Sequence, residues 1–429
     1  MKPILKFLIT NLLTCFLFFT CINAQVIHGY DTKPVSLSGF LRGVLKGNLG
    51  YIAEQFNVDI AKAEMKASRV FPDPEMSVIY ANNEDRKLQM GQSVEAGISY
   101  PVNAGNKRKA GINLARSQFE LSELILESYF RNLLADAALS YFAGIRDREI
   151  YTLRVNMLKQ VQELAQADSL RNVAGEISNL DALQSSLEAR SFKSTVYESY
   201  AEMKNTFANL MILQGKKLTD TLDLPSDTFN ITRHDFNLSD LLDSAVLKRS
   251  DLMAAIKKQE ISEKNLNLLK AERSFEFSIE AGYSYNSIVR NEIAPAPAFN
   301  GISAGISVPM KFSNINRGQV KAAEMAISQN AVLSRESELE IRTEVVRAFN
   351  KYTAQRQKVG HFNLGLIGDA QRILTGKIFS YQKGETNLIE VINAQRTYID
   401  LQLDYIDALF EFTASLIELE RAAGIWDIL

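Results

Sequence analysis

Two long stretches of the chain contain no proline, residues 102–224 and 310–429. Proline breaks helices because its ring clashes with the preceding turn and its nitrogen carries no hydrogen. Within both stretches apolar residues recur three and four positions apart, which is the seam of paired, coiled helices. They are Leu126, Phe130, Leu133, Ala137 and Tyr141 in the first stretch, and Tyr398, Leu401, Tyr405, Leu409, Phe412, Leu416 and Leu419 in the second. The pattern predicts long helices over 108–171, 178–214, 316–380 and 387–423.

Shorter segments before each pair of helices alternate with a period of two, the pattern of strands with two unlike faces. In one of them Val94, Ala96, Ile98 and Tyr100 alternate with Ser93, Glu95, Gly97 and Ser99. The alternation predicts two β-hairpins, residues 75–102 and 276–311.

The two halves of the chain repeat one plan. Gly97-Ile98-Ser99-Tyr100-Pro101 recurs 208 residues later as Gly305-Ile306-Ser307-Val308-Pro309, and the turn glycine Gly175 recurs 209 residues later as Gly384. We therefore predict a duplication, with a first repeat over 25–234 and a second over 235–429. Each repeat contains a leading helix, a hairpin and two long helices.

The N-terminus has the order of an export signal, with Lys2 and Lys6, an apolar run over 7–22 and a small residue at Ala24. We predict a signal peptide over 1–24, whose removal takes away both cysteines. The alternative is a cut before Cys21 that leaves this residue at the start of a lipid-anchored chain. No later apolar run is long enough for a membrane-spanning helix.

Charge and motif content argue against several classes of function. A formal net charge of -2 lacks the basic footprint of a general nucleic-acid binder. The three histidines are dispersed, which disfavours a metal or catalytic centre, and we expect no cofactor. Gly301-Ile302-Ser303-Ala304-Gly305 matches a nucleophile elbow in letters only, because the serine lies within an alternating strand rather than at a strand-to-helix turn. We predict that the protein is not an enzyme.

Strands of about ten residues with one apolar face suit a transmembrane β-barrel. Four strands are too few to close one, since known barrels begin at about eight. A membrane protein of this plan must therefore combine several copies, because an open edge in lipid leaves backbone groups unpaired. The alternative is a periplasmic coiled-coil scaffold or adhesion protein with two surface hairpins and no channel.

Short motifs flank the first hairpin, with Phe71-Pro72-Asp73-Pro74-Glu75 before it and Gly105-Asn106-Lys107-Arg108 after it. With these motifs, the duplicated plan and the two turn glycines, the chain resembles the TolC family of outer-membrane efflux proteins over nearly all of its mature length. The two motifs are most similar to the branch that serves heavy-metal and related pumps of the resistance-nodulation-division type.

The resemblance implies a mainly α fold with a small β part, assembled as a homotrimer. Its three copies would form a twelve-stranded barrel surrounded by outer-membrane lipid and an α-helical tunnel across the periplasm of a Gram-negative cell. It further implies a passive conduit that receives its cargo from an inner-membrane pump through a periplasmic adaptor (a membrane fusion protein).

The resemblance also assigns a periplasmic gate. Carboxylates six positions after each turn glycine, Asp181 and Glu390, would form rings of acids that favour cations. Tyr381 matches a family tyrosine three positions before the second glycine. The family's further acid is Asn393 here, and its arginine two positions after that glycine is Thr386.

The turns themselves, at Gly175 and Gly384, are the expected sites of adaptor docking. Arg171 and Lys383 stand just before them. These two cations are predicted either to pair with the gate acids or to contact the adaptor.

Overall fold

The computed structural model describes residues 32–85, 88–103, 105–217, 222–229, 235–274, 276–310 and 315–425. The predicted signal peptide, together with the choice between Cys21 and Ala24, lies outside the described residues. Across the described part of the chain, no helix combines the length and apolar character needed to cross a membrane.

The described chain is mainly helical, with a small β part. The helices are α1 (Leu37–Gly47), α2 (Leu49–Ala67), α3 (Lys107–Val173), α4 (Asn179–Leu213), α5 (Leu238–Lys248), α6 (Ser250–Ala271), α7 (Ile315–Phe362), α8 (Leu366–Gln382) and α9 (Leu388–Ala423). The strands are β1 (Thr32–Val35), β2 (Glu75–Asn82), β3 (Gln92–Asn103), β4 (Leu222–Pro225), β5 (Glu276–Asn286) and β6 (Phe299–Ser307).

Contacts divide the chain into two compact units, each built from three segments. The first, here called the turn unit, comprises Met1–Asn48, Ala137–Asn230 and Ile367–Phe410. The second, here called the sheet unit, comprises Leu49–Asp136, Ile231–Leu366 and Glu411–Leu429. Each unit therefore combines segments from both halves of the sequence.

The sheet unit contains an antiparallel four-stranded sheet in the order β2-β3-β5-β6. Its register sorts the side chains by face, as the alternation predicted. One row across the strands consists of Val78, Ala96, Tyr283 and Ile302, and the adjacent row on the opposite face consists of Ser77, Gly97, Gly282 and Ser303. Within the described residues β2 and β6 are the free edges of this sheet.

Two short strands in the turn unit were not predicted from the sequence. β1 and β4 form a parallel pair in which Val35 lies opposite Pro225. Beside them the buried Tyr141 hydroxyl lies 2.8 Å from the carbonyl oxygen of Val35 and 2.9 Å from an Asp227 carboxylate oxygen. Burial raises the pKa of Tyr141 to about 12, so this phenol stays protonated and acts as a structural hydrogen-bond donor.

The leading helix predicted in each repeat is instead a pair of helices. The chain is extended at Asn48, between α1 and α2, and at Arg249, between α5 and α6. In the turn unit the Asn48 amide donates to the Leu213 carbonyl (3.0 Å), and in the sheet unit the Arg249 guanidinium donates to the Ala422 carbonyl (3.1 Å). Both breaks thus place a donor against unsatisfied carbonyl groups at the end of a long helix.

The single helix predicted over 316–380 is also wrong, because the chain turns between α7 and α8. Gly365 has a φ of 103°, a conformation that side-chain-bearing residues avoid and that cannot continue a right-handed helix. The sequence around it has no proline, which is why the periodicity alone runs through the break.

Candidate functional site

The turn at Gly175 ends α3 with a left-handed glycine. Gly175 has a φ of 77°. Its N–H donates to the Asn172 carbonyl (3.0 Å), and the Glu176 N–H donates to the Arg171 carbonyl (2.9 Å). This is a Schellman ending, for which glycine is favoured because it lacks a Cβ.

The turn at Gly384 repeats this geometry at the end of α8. Gly384 also has a φ of 77°. Its N–H donates to the Tyr381 carbonyl (3.0 Å), and the Glu385 N–H donates to the Ser380 carbonyl (2.9 Å). The two turns are therefore equivalent in backbone structure, and each leads within a few residues into the next long helix.

Asp181 lies in the first turn of α4 and belongs to a helix cap. The Ser178 hydroxyl accepts from the Asp181 N–H (3.1 Å) and donates to the Asp181 carboxylate (2.8 Å). A carboxylate at this position also interacts favourably with the positive end of the helix dipole. The local geometry thus fixes the position of the Asp181 carboxylate beside the turn.

Arg171 does not pair with Asp181. It pairs with Glu176 within the turn (3.2 Å), and its guanidinium carbon lies 5.0 Å from the centre of the Tyr381 ring. Lys383 is exposed, with its Nζ 5.5 Å from the centre of the Phe379 ring. The prediction that these two cations pair with the gate acids is therefore wrong.

Glu390 lies at the matching position of α9, and its partner is Lys377 on α8. The hydrogen bond and the positive charge of Lys377 lower the pKa of the Glu390 carboxyl. Glu390 therefore remains ionised at neutral pH, with its charge offset by a neighbouring lysine. Asn393 is exposed one turn further along α9 and adds no charge.

Tyr381 forms the most buried polar contact of this region, with an acid that the sequence reasoning did not identify. The Tyr381 hydroxyl donates to Asp168 Oδ1 (3.0 Å). Asp168 is fully inaccessible to solvent and Tyr381 is 5% exposed. Burial raises the pKa of the Asp168 carboxyl, while the hydrogen bond from Tyr381 opposes that rise. This contact joins α3 to α8 close to both turns, and we call it the Asp168–Tyr381 latch.

The sequence contains a pattern from which the burial of Asp168 could have been predicted. Met157, Val161 and Leu164 continue the apolar seam of α3 at spacings of four and three, and Asp168 takes the next seam position. A lone acid in such a seam must find a partner when it is buried. Asp168 also stands seven residues before Gly175, the offset at which Lys377 stands before Gly384.

Apolar packing and an ion pair stabilise the helix segments that lead into and out of the turns. Tyr381, Leu388, Val391 and Ile392 form one buried cluster. Further along, Arg396 of α9 binds both oxygens of Glu188 of α4, with the shorter distance 2.8 Å. The ion pair joins the two halves of the chain, and with the buried cluster it stabilises the helix segments next to the two turns.

The outer surface of the first turn is unusually apolar. Val173 is 85% exposed, and Leu170 and Leu180 are exposed to a similar degree. Clustered exposed apolar residues on a soluble surface mark sites of protein contact.

Ser303, from the elbow-like motif, lies in the middle of β6 opposite Gly282. It has neither the sharp turn nor the following helix that a nucleophile elbow requires.

The fold is similar to that of solved outer-membrane channels, and part of the chain matches a family of outer-membrane efflux proteins. The model of the family described as "Outer membrane efflux protein" matches residues 241–425 of this chain.

Two relatives cover nearly the whole chain. The cobalt-zinc-cadmium resistance protein CzcC of Cupriavidus metallidurans is 21% identical over 396 residues, which are 91% of this chain and 90% of that protein. The outer membrane efflux protein BepC of Brucella suis is 20% identical over 94% of this chain and 88% of its own length. The crystal structure of the Campylobacter jejuni CmeC outer membrane channel has the same fold. Its TM-score is 0.78 at 14% identity, over 90% of this chain and 85% of that one.

Proposed function

We propose that this protein is the outer-membrane channel of a tripartite efflux system, a passive conduit for substrates delivered by an inner-membrane pump and a periplasmic adaptor. The family supports an efflux role in the outer membrane. The observation that carries the proposal is the open sheet of the sheet unit, which has one exposed apolar face and two free edges.

The apolar face of that sheet suits lipid rather than water. Ile302 is 89% exposed, and Met76, Val78 and Ile306 are also strongly exposed. The opposite face consists mainly of serines, glycines and glutamates, as expected for the wall of an aqueous lumen. Ile79 of β2 and Phe299 of β6 are exposed apolar exceptions on this face. Side chains of these two kinds alternate most regularly along β3 and β5, so these strands separate a lipid side from a water side.

The free edges call for a second copy of the chain. β2 and β6 run in opposite directions, so β6 of one copy can pair antiparallel with β2 of the next, in a head-to-tail contact that closes into a ring. Three copies would supply twelve strands, within the range of known barrels. The efflux family favours this number.

The helices attached to the strands follow the same order. α2 contacts α3 through Tyr51 and Phe130, whose ring centroids lie 6.0 Å apart. Lys257 of α6 pairs with Glu120 of α3 (3.0 Å), and the Asn330 amide of α7 donates to the Ser262 hydroxyl of α6 (2.8 Å). Among these four helices the order is therefore α2-α3-α6-α7, with α2 and α7 at the two ends, which matches β2 and β6 at the ends of the sheet.

Both of these end helices carry exposed apolar residues at helical spacing. They are Leu49, Phe56 and Ile60 on α2, and Val332 and Leu339 on α7. We propose that α7 of one copy packs on α2 of the next, which continues the barrel contact into a helical tunnel.

The turn unit supplies the gate and the docking tip in this proposal. The Asp168–Tyr381 latch would hold the turns in the closed position, and the apolar surface at Leu170, Val173 and Leu180 would receive the adaptor. Asp181 and Glu390 would face the passage at its narrow end.

The partner pump is proposed to be of the resistance-nodulation-division type. The two flanking motifs touch one another, since the Arg108 guanidinium carbon lies 3.9 Å from the centre of the Phe71 ring. The Arg108 Nη2 group also donates a hydrogen bond to the Arg69 carbonyl oxygen. These are the motifs that link the chain to the branch serving heavy-metal and related pumps. The relative CzcC, a cobalt-zinc-cadmium resistance protein, supports the same assignment.

A pair of adjacent substitutions tests the barrel. Ile302→Lys puts a charge on the apolar face of β6, and Ser303→Lys puts the same charge on the opposite face. A lysine facing lipid at mid-strand costs about 2–4 kcal/mol, whereas a lumen position tolerates it. We expect only Ile302→Lys to reduce outer-membrane insertion, and Ser303→Lys to insert normally and shift the ion preference in planar bilayers. Equal insertion of the two variants would contradict the barrel.

A further inference from the structure

Basic residues gather where the strands of the sheet unit meet the helices. The four strands β2, β3, β5 and β6 contain no lysine or arginine, whereas every junction between strand and helix contains at least one. We call the following six residues the junction belt: Arg69, Lys107, Arg108, Lys109, Arg273 and Arg317.

The register brings these junctions to one end of the sheet. Glu75, the first residue of β2, lies opposite Ser99, and Asn103, the last residue of β3, lies opposite Glu276. Ser307, the last residue of β6, lies opposite Ser278. The residues that precede β2 and β5 and those that follow β3 and β6 therefore lie at the same level.

The two ends of the sheet differ in charge. The junction segments 66–75, 103–109, 270–276 and 308–317 contain nine basic and four acidic residues. The hairpin segments at the other end, 83–91 and 287–298, contain three basic and three acidic residues. Only the helix end of the sheet is therefore electropositive.

Two members of the belt are fixed by internal contacts. Lys107 pairs with Glu276 (3.0 Å), and Arg108 stacks on Phe71. The other four, Arg69, Lys109, Arg273 and Arg317, are exposed and form no ion pair among the described residues. The belt thus presents four solvent-facing cations per chain.

Apolar side chains stand at the same level as these cations. Val70, Phe71 and Met310 are all strongly exposed. A layer of cations next to exposed apolar and aromatic residues is the pattern of a protein surface at a membrane interface, where the charges reach headgroups and the apolar groups reach acyl chains.

We propose that the junction belt binds the headgroup phosphates of anionic phospholipids in the leaflet nearest the helices. Guanidinium groups suit this partner because their planar donors match phosphate oxygens. The exposed Val70, Phe71 and Met310 favour a lipid over free phosphate, which offers them no apolar surface. This inference rests on the barrel of the proposed function.

The experiment uses the full-length protein reconstituted in vesicles of phosphatidylcholine, with or without phosphatidylglycerol, and measures the unfolding temperature. The belt variant replaces Arg69, Lys109, Arg273 and Arg317 with glutamine. Single variants at the two ends of β5, Arg273→Gln in the belt and Arg290→Gln at the hairpin end, provide a matched pair.

We expect phosphatidylglycerol to raise the unfolding temperature of the unchanged protein and of Arg290→Gln equally. The rise should shrink in Arg273→Gln and fall by more than half in the belt variant, and added salt should weaken it because the charges are exposed. Equal unfolding temperatures in the two lipids, or the same rise with inorganic phosphate in phosphatidylcholine alone, would overturn the proposal. Failure of the unchanged protein to float with vesicles would instead refute the proposed function, because the belt requires a membrane-inserted sheet.

Discussion

Replacing Tyr381 with phenylalanine isolates the latch from the packing around it. The substitution removes one hydroxyl and keeps the ring, which packs with Leu388, Val391 and Ile392. It therefore takes from Asp168 the 3.0 Å hydrogen bond and leaves the buried cluster in place.

The magnitude follows from the burial of Asp168. A hydrogen bond to a charged group contributes about 1.5–3 kcal/mol, and the carboxyl of Asp168 is fully shielded from water that would otherwise replace the lost donor. If the contact exists only in the closed tip, its loss lowers the ratio of closed to open channels by roughly ten- to 150-fold.

The assay is the fraction of time that single channels stay open in planar bilayers. Tyr398→Phe is the matched control. It removes a hydroxyl from another buried tyrosine, but that hydroxyl accepts a hydrogen bond from Gln402 within the same helix (2.9 Å). We expect Tyr381→Phe to open far more often and Tyr398→Phe to behave as the unchanged protein. An unaltered open fraction in Tyr381→Phe, with normal assembly, would refute the latch.

Three further predictions concern the turns. Burial raises the pKa of Asp168 above its ordinary value. If the Asp168–Tyr381 contact exists only in the closed tip, protonation favours closure, and we expect the open fraction to fall as the pH is lowered from neutral and Asp168→Asn to lose this dependence. Since a lysine already offsets the charge of Glu390, Asp181→Asn should reduce the cation preference seen in reversal potentials more than Glu390→Gln, and equal shifts would contradict the pairing. Gly384→Ala should lower the free energy of unfolding by about 1–2 kcal/mol because of its positive φ, whereas Gly376→Ala, within α8 and with open space around it, should raise it by about 0.5–1 kcal/mol.

The periodic elements of the fold could be predicted because their signals are local. The α3 helix, Lys107–Val173, occupies a stretch in which a continuous apolar seam and the absence of proline both favour a helix. The strands likewise carry an alternation that the register then arranges into two faces. In such segments the residues nearby in sequence are sufficient to predict whether the chain forms a helix or a strand.

Features set by distant contacts could not be predicted. The breaks at Asn48 and Arg249 depend on the carbonyl groups of Leu213 and Ala422, which lie far away in sequence. β1 and β4 are four residues each, too short for a period to appear.

The site shows the same division. Asp181 and Glu390 were reached through the family resemblance and their spacing from the glycines. Their partners could not be predicted in this way, because the cap that Ser178 gives Asp181 and the ion pair of Lys377 with Glu390 both depend on how the turns fold. Asp168 was missed because a single acid in an apolar seam reveals its partner only once α3 and α8 are packed together.

The most direct test of the central claim is outer-membrane fractionation, followed by the mass of the detergent-solubilised protein. The proposal predicts an outer-membrane protein with the mass of three chains, since the edges β2 and β6 must each be paired by another copy. A single chain, soluble in the periplasm without detergent, would contradict the channel, and the long helices would then belong to a scaffold.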